Sequence, residues 1–223
     1  MELTIYKPSI YKGAGIYKTG AEGGGGGGGG STETIDGDEY QVITAAGYLW
    51  MSQNYRKPEG AHNGNEYTKA AYMYPNDDID NVEKYGLLYN YHAAKNIIDA
   101  HNGGESEWHV ITRDEMNALM NYITANAGQQ RSGYYLKSID GWDAGNSSID
   151  IIGFGAIGAG YMNESWHWPP EAKEFKKTGT YWTSTPYSSN TLYFRQFEYN
   201  SNDSSEGYNG QSIGYSIKLC KKL

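Results

Sequence analysis

Thr112-Arg-Asp-Glu-Met-Asn-Ala-Leu-Met-Asn-Tyr-Ile123 carries two signals that agree. Thr112 and Glu115 form a T-x-x-E capping box, in which each side chain accepts the other residue's backbone N–H at a helix start. Met116, Leu119, Met120 and Ile123 then recur at helical spacing, so one face of this helix packs on a core. A second helix is expected over 88–100, Leu-Tyr-Asn-Tyr-His-Ala-Ala-Lys-Asn-Ile-Ile-Asp-Ala. Strand-like runs cover 40–44, 48–51, 181–185 and 192–199. Ile213-Gly-Tyr-Ser-Ile-Lys-Leu-Cys220 alternates and reads as a final strand, with Ile213, Tyr215, Ile217 and Leu219 on one face. Beyond Gly128 helix signals stop. Helices early and antiparallel strands late indicate an α+β domain.

The 223 residues suit one domain with a short appendage. Thirty glycines and 22 tyrosines dominate the composition, and only 20 % of the chain is charged. The core must therefore lean on Tyr and Trp, whose polar tips need partners when buried. A net charge of −8 argues against nucleic-acid backbone binding. No run approaches the roughly 20 apolar residues that span a bilayer, so no membrane insertion is expected. The opening residues lack the apolar stretch of a secretory signal, which makes general export an unfavoured reading.

Residues 1–22 repeat Ile-Tyr-Lys three times, at 5–7, 10–12 and 16–18, between helix-breaking Pro8, Gly13, Gly15 and Gly20. They read as an extended docking or assembly arm, or as a disordered leader. Residues 23–32 read as a glycine-rich linker, and 33–223 as the globular, ligand-binding domain. No lysine follows Gly23–Gly30 where a phosphate-binding loop needs one.

No His pair has metal-ligand spacing, and His109 reads as a structural histidine bonded to backbone. The one cysteine, Cys220, excludes an internal disulfide and a Cys-rich zinc site and reads as a structural thiol. Asn76-Asp-Asp-Ile-Asp-Asn81 offers oxygen ligands for Ca²⁺ but lacks the Gly and closing Glu of an EF-hand loop. A solvated turn is the simpler reading, and no cofactor is expected apart from that calcium alternative. Trp166 and Trp168, in Trp-His-Trp-Pro-Pro, read either as rings that stack on a ligand or as a local packing knot. The stretch 187–212 is richest in Tyr, Ser and Asn. In such a surface Tyr supplies contact area at low entropy cost, and Ser, Asn and Gly supply adaptable hydrogen bonds.

In order along the chain, Leu49-Trp-Met-Ser-Gln-Asn54, Lys84-Tyr-Gly-Leu-Leu-Tyr-Asn-Tyr-His-Ala-Ala94, Trp108-His-Val-Ile-Thr-Arg-Asp-Glu-Met116, Leu136-Lys-Ser-Ile-Asp-Gly-Trp142, Gly153-Phe-Gly-Ala156 with Ala159-Gly-Tyr161, Tyr181-Trp-Thr-Ser-Thr185 and Gly214-Tyr-Ser-Ile-Lys-Leu-Cys220 resemble the Fibrobacter succinogenes major paralogous domain. The resemblance runs from about residue 40 to 221. It implies a C-type lectin-like fold of the formylglycine-generating-enzyme branch: two helices packed on twisted antiparallel sheets, with the ligand face built by late strands and loops. Domains of this group are common targets of diversity-generating retroelements, whose adenine-directed mutagenesis yields Asn, Ser, Tyr and Asp. In phages of gut Bacteroidales such domains resemble tail-fibre tips. Two departures stand out: a missing cysteine, and the missing export signal with which members in bacteria usually begin. The cysteine that many members carry just before the Trp-His motif is absent from Asn102-Gly-Gly-Glu-Ser-Glu-Trp108, and so is the disulfide it implies. The cysteines that serve the enzyme relatives are missing too, so no catalytic role transfers and no enzyme is expected.

The resemblance implies a virion protein, a receptor-binding adhesin at a tail-fibre tip, assembled as a homotrimer and attached to other virion proteins through 1–22. Its partner would be a bacterial surface protein or glycan. Tyr187, Tyr193, Tyr199 and Tyr208 would anchor that ligand. Asn190, Arg195, Asn200, Asn202, Asp203 and Asn209 would adapt specificity, with Trp166 and Trp168 as further contacts. A bacterial cell-surface adhesin of the same fold and a non-binding structural virion component are the alternatives.

Overall fold

The computed structural model describes residues 31–223 except 65, 67, 106, 128–130 and 164–169. The expected arm, most of the glycine linker, and Trp166 and Trp168 therefore lie outside the described residues. In chain order the elements begin with β1 (Ser31–Ile35), β2 (Asp38–Ala45), β3 (Tyr48–Met51), β4 (Ala61–His62) and β5 (Ala71–Met73). Two 3₁₀ turns, α1 (Val82–Tyr85), β6 (Leu88–Asn90), α2 (Tyr91–Ala100), β7 (His109–Val110), α3 (Arg113–Ala127) and α4 (Ser132–Leu136) follow. The remainder is β8 (Tyr161–Asn163), β9 (Glu171–Lys173), β10 (Thr178–Ser188), β11 (Thr191–Glu198), β12 (Ser204–Asn209), β13 (Ile213–Tyr215) and β14 (Leu219–Lys222). The chain is α+β, with three sheets ordered β1-β2-β3-β14-β7, β4-β5-β6-β13-β8-β9 and β10-β11-β12.

The first sheet starts with two tight hairpins. Asp36-Gly37 and Ala46-Gly47 both hold positive φ, 53° with 91° and 52° with 82°, as a two-residue turn matched to strand twist requires. Ser31 and Thr32, expected in the linker, instead pair with Val42 and Gln41 in β1–β2. The capping box forms as read: Glu115 N–H donates to Thr112 Oγ1 at 3.1 Å and Thr112 N–H to Glu115 Oε2 at 2.8 Å.

Three elements differ from expectation. Leu88–Asn90 is a strand, and the helix begins at Tyr91 with Asn90 as its cap, its Oδ1 accepting from Ala93 N–H at 2.9 Å. The short helix α4 lies beyond Gly128, where none was expected; its five residues are too few to show periodicity. The last strand is two strands, β13 and β14, in different sheets. The connecting residues bond sideways: Trp182 N–H donates to Ser216 O and Ser216 N–H to Thr180 O, both at 3.0 Å, and Tyr55 N–H donates to Ile217 O at 2.8 Å.

The core is aromatic, as the composition demanded. One cluster packs α2 (Ala93, Ala94, Ile97) against Tyr89, Trp182, Leu192, Tyr215 and Ile217. Another packs α3 (Met116, Leu119, Ile123) against Trp50, Phe154, Tyr181, Phe197 and Cys220. The polar tips are satisfied: Trp50 Nε1–H donates to Ala45 O and Trp182 Nε1–H to Tyr89 O, each at 2.8 Å, and Tyr181 Oη accepts from Ile157 N–H at 2.8 Å. These bonds remove most of the penalty of burying ring heteroatoms. No helix among the described residues is long and apolar enough to cross a membrane.

Candidate recognition face

The Tyr-rich stretch builds the sheet β10-β11-β12. Tyr193 lies opposite Tyr208, Arg195 opposite Glu206 and Phe197 opposite Ser204, so these residues share one face. The inner part of that face is core, where Phe197 is fully buried in the α3 cluster. The outer part projects past the start of α3 and is aromatic. Register shifts in β10 around Pro186 let Tyr187 turn onto the same patch. Tyr187 and Tyr208 stack with centroids 3.6 Å apart and planes 4° from parallel, and Tyr193 meets Tyr187 edge-on at 5.4 Å. Tyr187 is 49 % exposed and Tyr208 52 %. Solvent-facing rings held by one another lose little further freedom on binding.

A charged brace sits beneath the rings. Arg195 is buried, and its Nη2 donates to Asn117 Oδ1 at 2.7 Å and to Glu206 Oε2 at 3.0 Å. Arg113, on the first turn of α3, donates to Glu206 Oε1 at 2.7 Å and lies 4.5 Å over the Tyr193 ring. The hydrogen bond from Arg113 and the charge of Arg195 hold the Glu206 carboxyl below the usual carboxylate range. A carboxylate shared by two guanidiniums, one of them buried, fixes α3 against the sheet and orients Tyr193. Arg195, expected to adapt to the ligand, is placed in this internal brace. Arg113, Asn117 and Glu206 were not expected in the site.

The remaining expected residues fall into two groups at opposite ends of the sheet. Asn190 is exposed at the β10–β11 turn, which Tyr91 Oη anchors by donating to Ser189 O at 3.0 Å. Asn209 donates to Tyr215 Oη at 3.1 Å and borders the tyrosines. Tyr199, Asn200, Asn202 and Asp203 lie at the β11–β12 turn, about 20 Å away at the rise of an extended strand. That turn is docked on α4. Lys137 Nζ donates to the carbonyls of Glu198 and Ser201 at 2.8 Å and of Tyr199 at 3.2 Å. Tyr134 N–H donates to Asn202 O at 2.9 Å, and Ser147 Oγ donates to Asn202 Oδ1 at 3.0 Å. A Cβ on Gly133 would sit 2.6 Å from Asp203 O, so only glycine allows this approach. Tyr199 and Asn202 therefore act in docking the turn, away from the ring patch. The acidic stretch 76–81 lies apart from both groups and is wound into the two 3₁₀ turns, where Asp80 N–H donates to Asp78 Oδ1 at 3.0 Å.

A family model, the Fibrobacter succinogenes major domain, matches residues 43–221. The chain belongs to that family. No curated protein and no solved structure matches it. The matched span of the Fibrobacter succinogenes major domain contains α2, α3, every strand from β6 to β13 and all of the ring patch with its brace. It begins inside β2, so β1 is an addition outside the family match.

Proposed function

We propose that this Fibrobacter succinogenes major domain is a receptor-binding adhesin, carried at a phage tail-fibre tip, that engages a bacterial surface protein or glycan. The observation that carries the reading is the braced tyrosine patch. Three tyrosines lie together at the outer end of a sheet, with the exposed amide side chain of Asn190 at the neighbouring turn and half-buried Asn209 beside Tyr208. Rigid aromatic anchors with an adaptable polar rim are the chemistry of binding hot spots. Stacked rings also suit the apolar faces of sugars. In this reading the two main helices and three sheets follow the C-type lectin plan, the domain performs no catalysis, and 1–22 attaches a homotrimer to the fibre. Several copies on one particle raise avidity above the affinity of a single face. The diversified positions would be Tyr187, Asn190 and Tyr208, whose changes leave the core intact.

The test is adsorption of the labelled full chain to candidate host cells, compared with the double variant Tyr187→Ala, Tyr208→Ala. The two rings stack on each other and their contributions need not add, so their joint loss should cost at least the about 2 kcal/mol of one hot spot and weaken cell binding by at least about thirtyfold, with an unchanged circular dichroism spectrum. Equal binding by a folded double variant refutes the assignment of this face.

A further inference from the structure

His109, Glu115 and Cys220 converge where β7, β14 and the first turn of α3 meet, and all three are buried. Cys220 and His109 are direct partners in the β14–β7 register. Cys220 Sγ lies 3.4 Å from His109 Nε2 and 3.5 Å from Glu115 Oε2, and His109 Nε2 lies 2.8 Å from Glu115 Oε1. Zinc bonds of about 2.0–2.3 Å at tetrahedral angles place donor atoms about 3.3–3.6 Å apart. The sulfur–nitrogen edge already has that length; sulfur and nitrogen meet different oxygens of Glu115, so the carboxylate must turn to present one oxygen to both, with the nitrogen–oxygen edge opening by about half an ångström.

The surroundings orient the three donors. His109 Nδ1 lies 2.8 Å from the Glu107 carbonyl, which leaves Nε2 directed at the cluster. Thr112 N–H and Oγ1–H both donate to Glu115 Oε2, at 2.8 and 2.9 Å. Such outer contacts fix the ring orientation and carboxylate of metal ligands. A cleft of about 710 Å³ reaches His109 and Glu115 past Tyr48, Thr112, Ser184 and Thr185, leaving room for a fourth, external ligand.

We propose that His109, Glu115 and Cys220 bind one Zn²⁺-class cation, with the fourth position facing this cleft. Binding displaces the thiol proton and the proton on Nε2 to solvent. The thiolate and carboxylate together neutralise the +2 ion, so the buried site carries no net charge. The cation would tie β7, β14 and the start of α3 together, adding a cross-link at the helix that carries Arg113. This goes beyond the adhesin reading and does not depend on it.

The test uses the full chain, stripped with a chelator and titrated with Zn²⁺ and with Co²⁺ as a spectroscopic substitute. One Co²⁺ per chain should produce thiolate-to-cobalt charge-transfer absorption, and Zn²⁺ should raise the melting temperature. Cys220→Ser should abolish that absorption. Glu115→Gln, which keeps the capping box, should weaken Zn²⁺ binding by about tenfold or more, the least that losing even an outer partner of a metal ligand costs. No thiolate band from the folded wild type at one equivalent overturns the proposal. So does Zn²⁺ affinity that survives both substitutions, which would place the metal at other side chains.

Discussion

Replacing Lys137 by methionine isolates what docks the β11–β12 turn. The side chain is fully buried, and methionine fills nearly the same volume without the ammonium. Burial pulls the Lys137 pKa down to about 8, so the group is still mostly charged at pH 7. Two of its three carbonyl contacts are short, at 2.8 Å, and it also lies 5.4 Å from the Trp142 ring. A hydrogen bond from a charged donor contributes about 1.5–3 kcal/mol net. The acceptors belong to a turn that water partly reaches, and methionine avoids the cost of burying a charge. The net loss should therefore be about 2–4 kcal/mol, below the sum of the separate bonds. For a domain of this size that lowers the melting temperature by about 5–15 °C. Thermal unfolding at pH 7 measures the total, and hydrogen exchange at 199–204 shows whether the loosening is local. A shift under about 2 °C would mean that water satisfies those carbonyls equally well, and the docking argument would fail.

Two further outcomes follow from charged groups elsewhere. Glu206→Gln leaves the buried Arg195 guanidinium without its carboxylate and should cost about 1–2 kcal/mol, read as a lower denaturant midpoint at unchanged slope; an unmoved midpoint would show that the brace is electrostatically idle. Burial pushes the Asp150 carboxyl up to about 7, against the bond from Gly155 N–H and the nearby charge of Lys218. The folded chain therefore holds a proton that the unfolded chain releases between about pH 4 and pH 7. Across that window wild-type stability should fall relative to Asp150→Asn, whose side chain keeps the site's size and tolerates its positive φ of 40°; wild-type stability that holds level or rises relative to Asp150→Asn as pH increases would contradict the assignment.

What the sequence disclosed is what was local. The capping box needs only Thr112 and Glu115, three positions apart, and it formed as read. Leu88–Asn90 has a helical context, yet its pairing with β5 and β13 decides its state, so tertiary contact overrides local preference. In 213–220 the alternation misled for a related reason. Every residue from Gly214 to Cys220 is buried, so both sides of the segment have partners and periodicity carries no boundary. The site divided in the same way. The tyrosines were visible as a composition, whereas Arg113 reaches Glu206 across 93 positions, and no spacing rule reports such a meeting. Arg195 stood among Tyr and Asn and shared their pattern, although its neighbour across the sheet is a carboxylate and its surroundings are core.

The position of the last strands has a consequence for how the protein is made. β13 lies between β6 and β8, and β14 between β3 and β7, so these two strands are interior members of two sheets. Without them both sheets have an interior gap and neither core can close. A chain ended early by a frameshift or stop codon within 187–212 lacks both strands and has no route to a folded product. The architecture thus proofreads its own tyrosine face, because only chains translated through that stretch into β13 and β14 can present it.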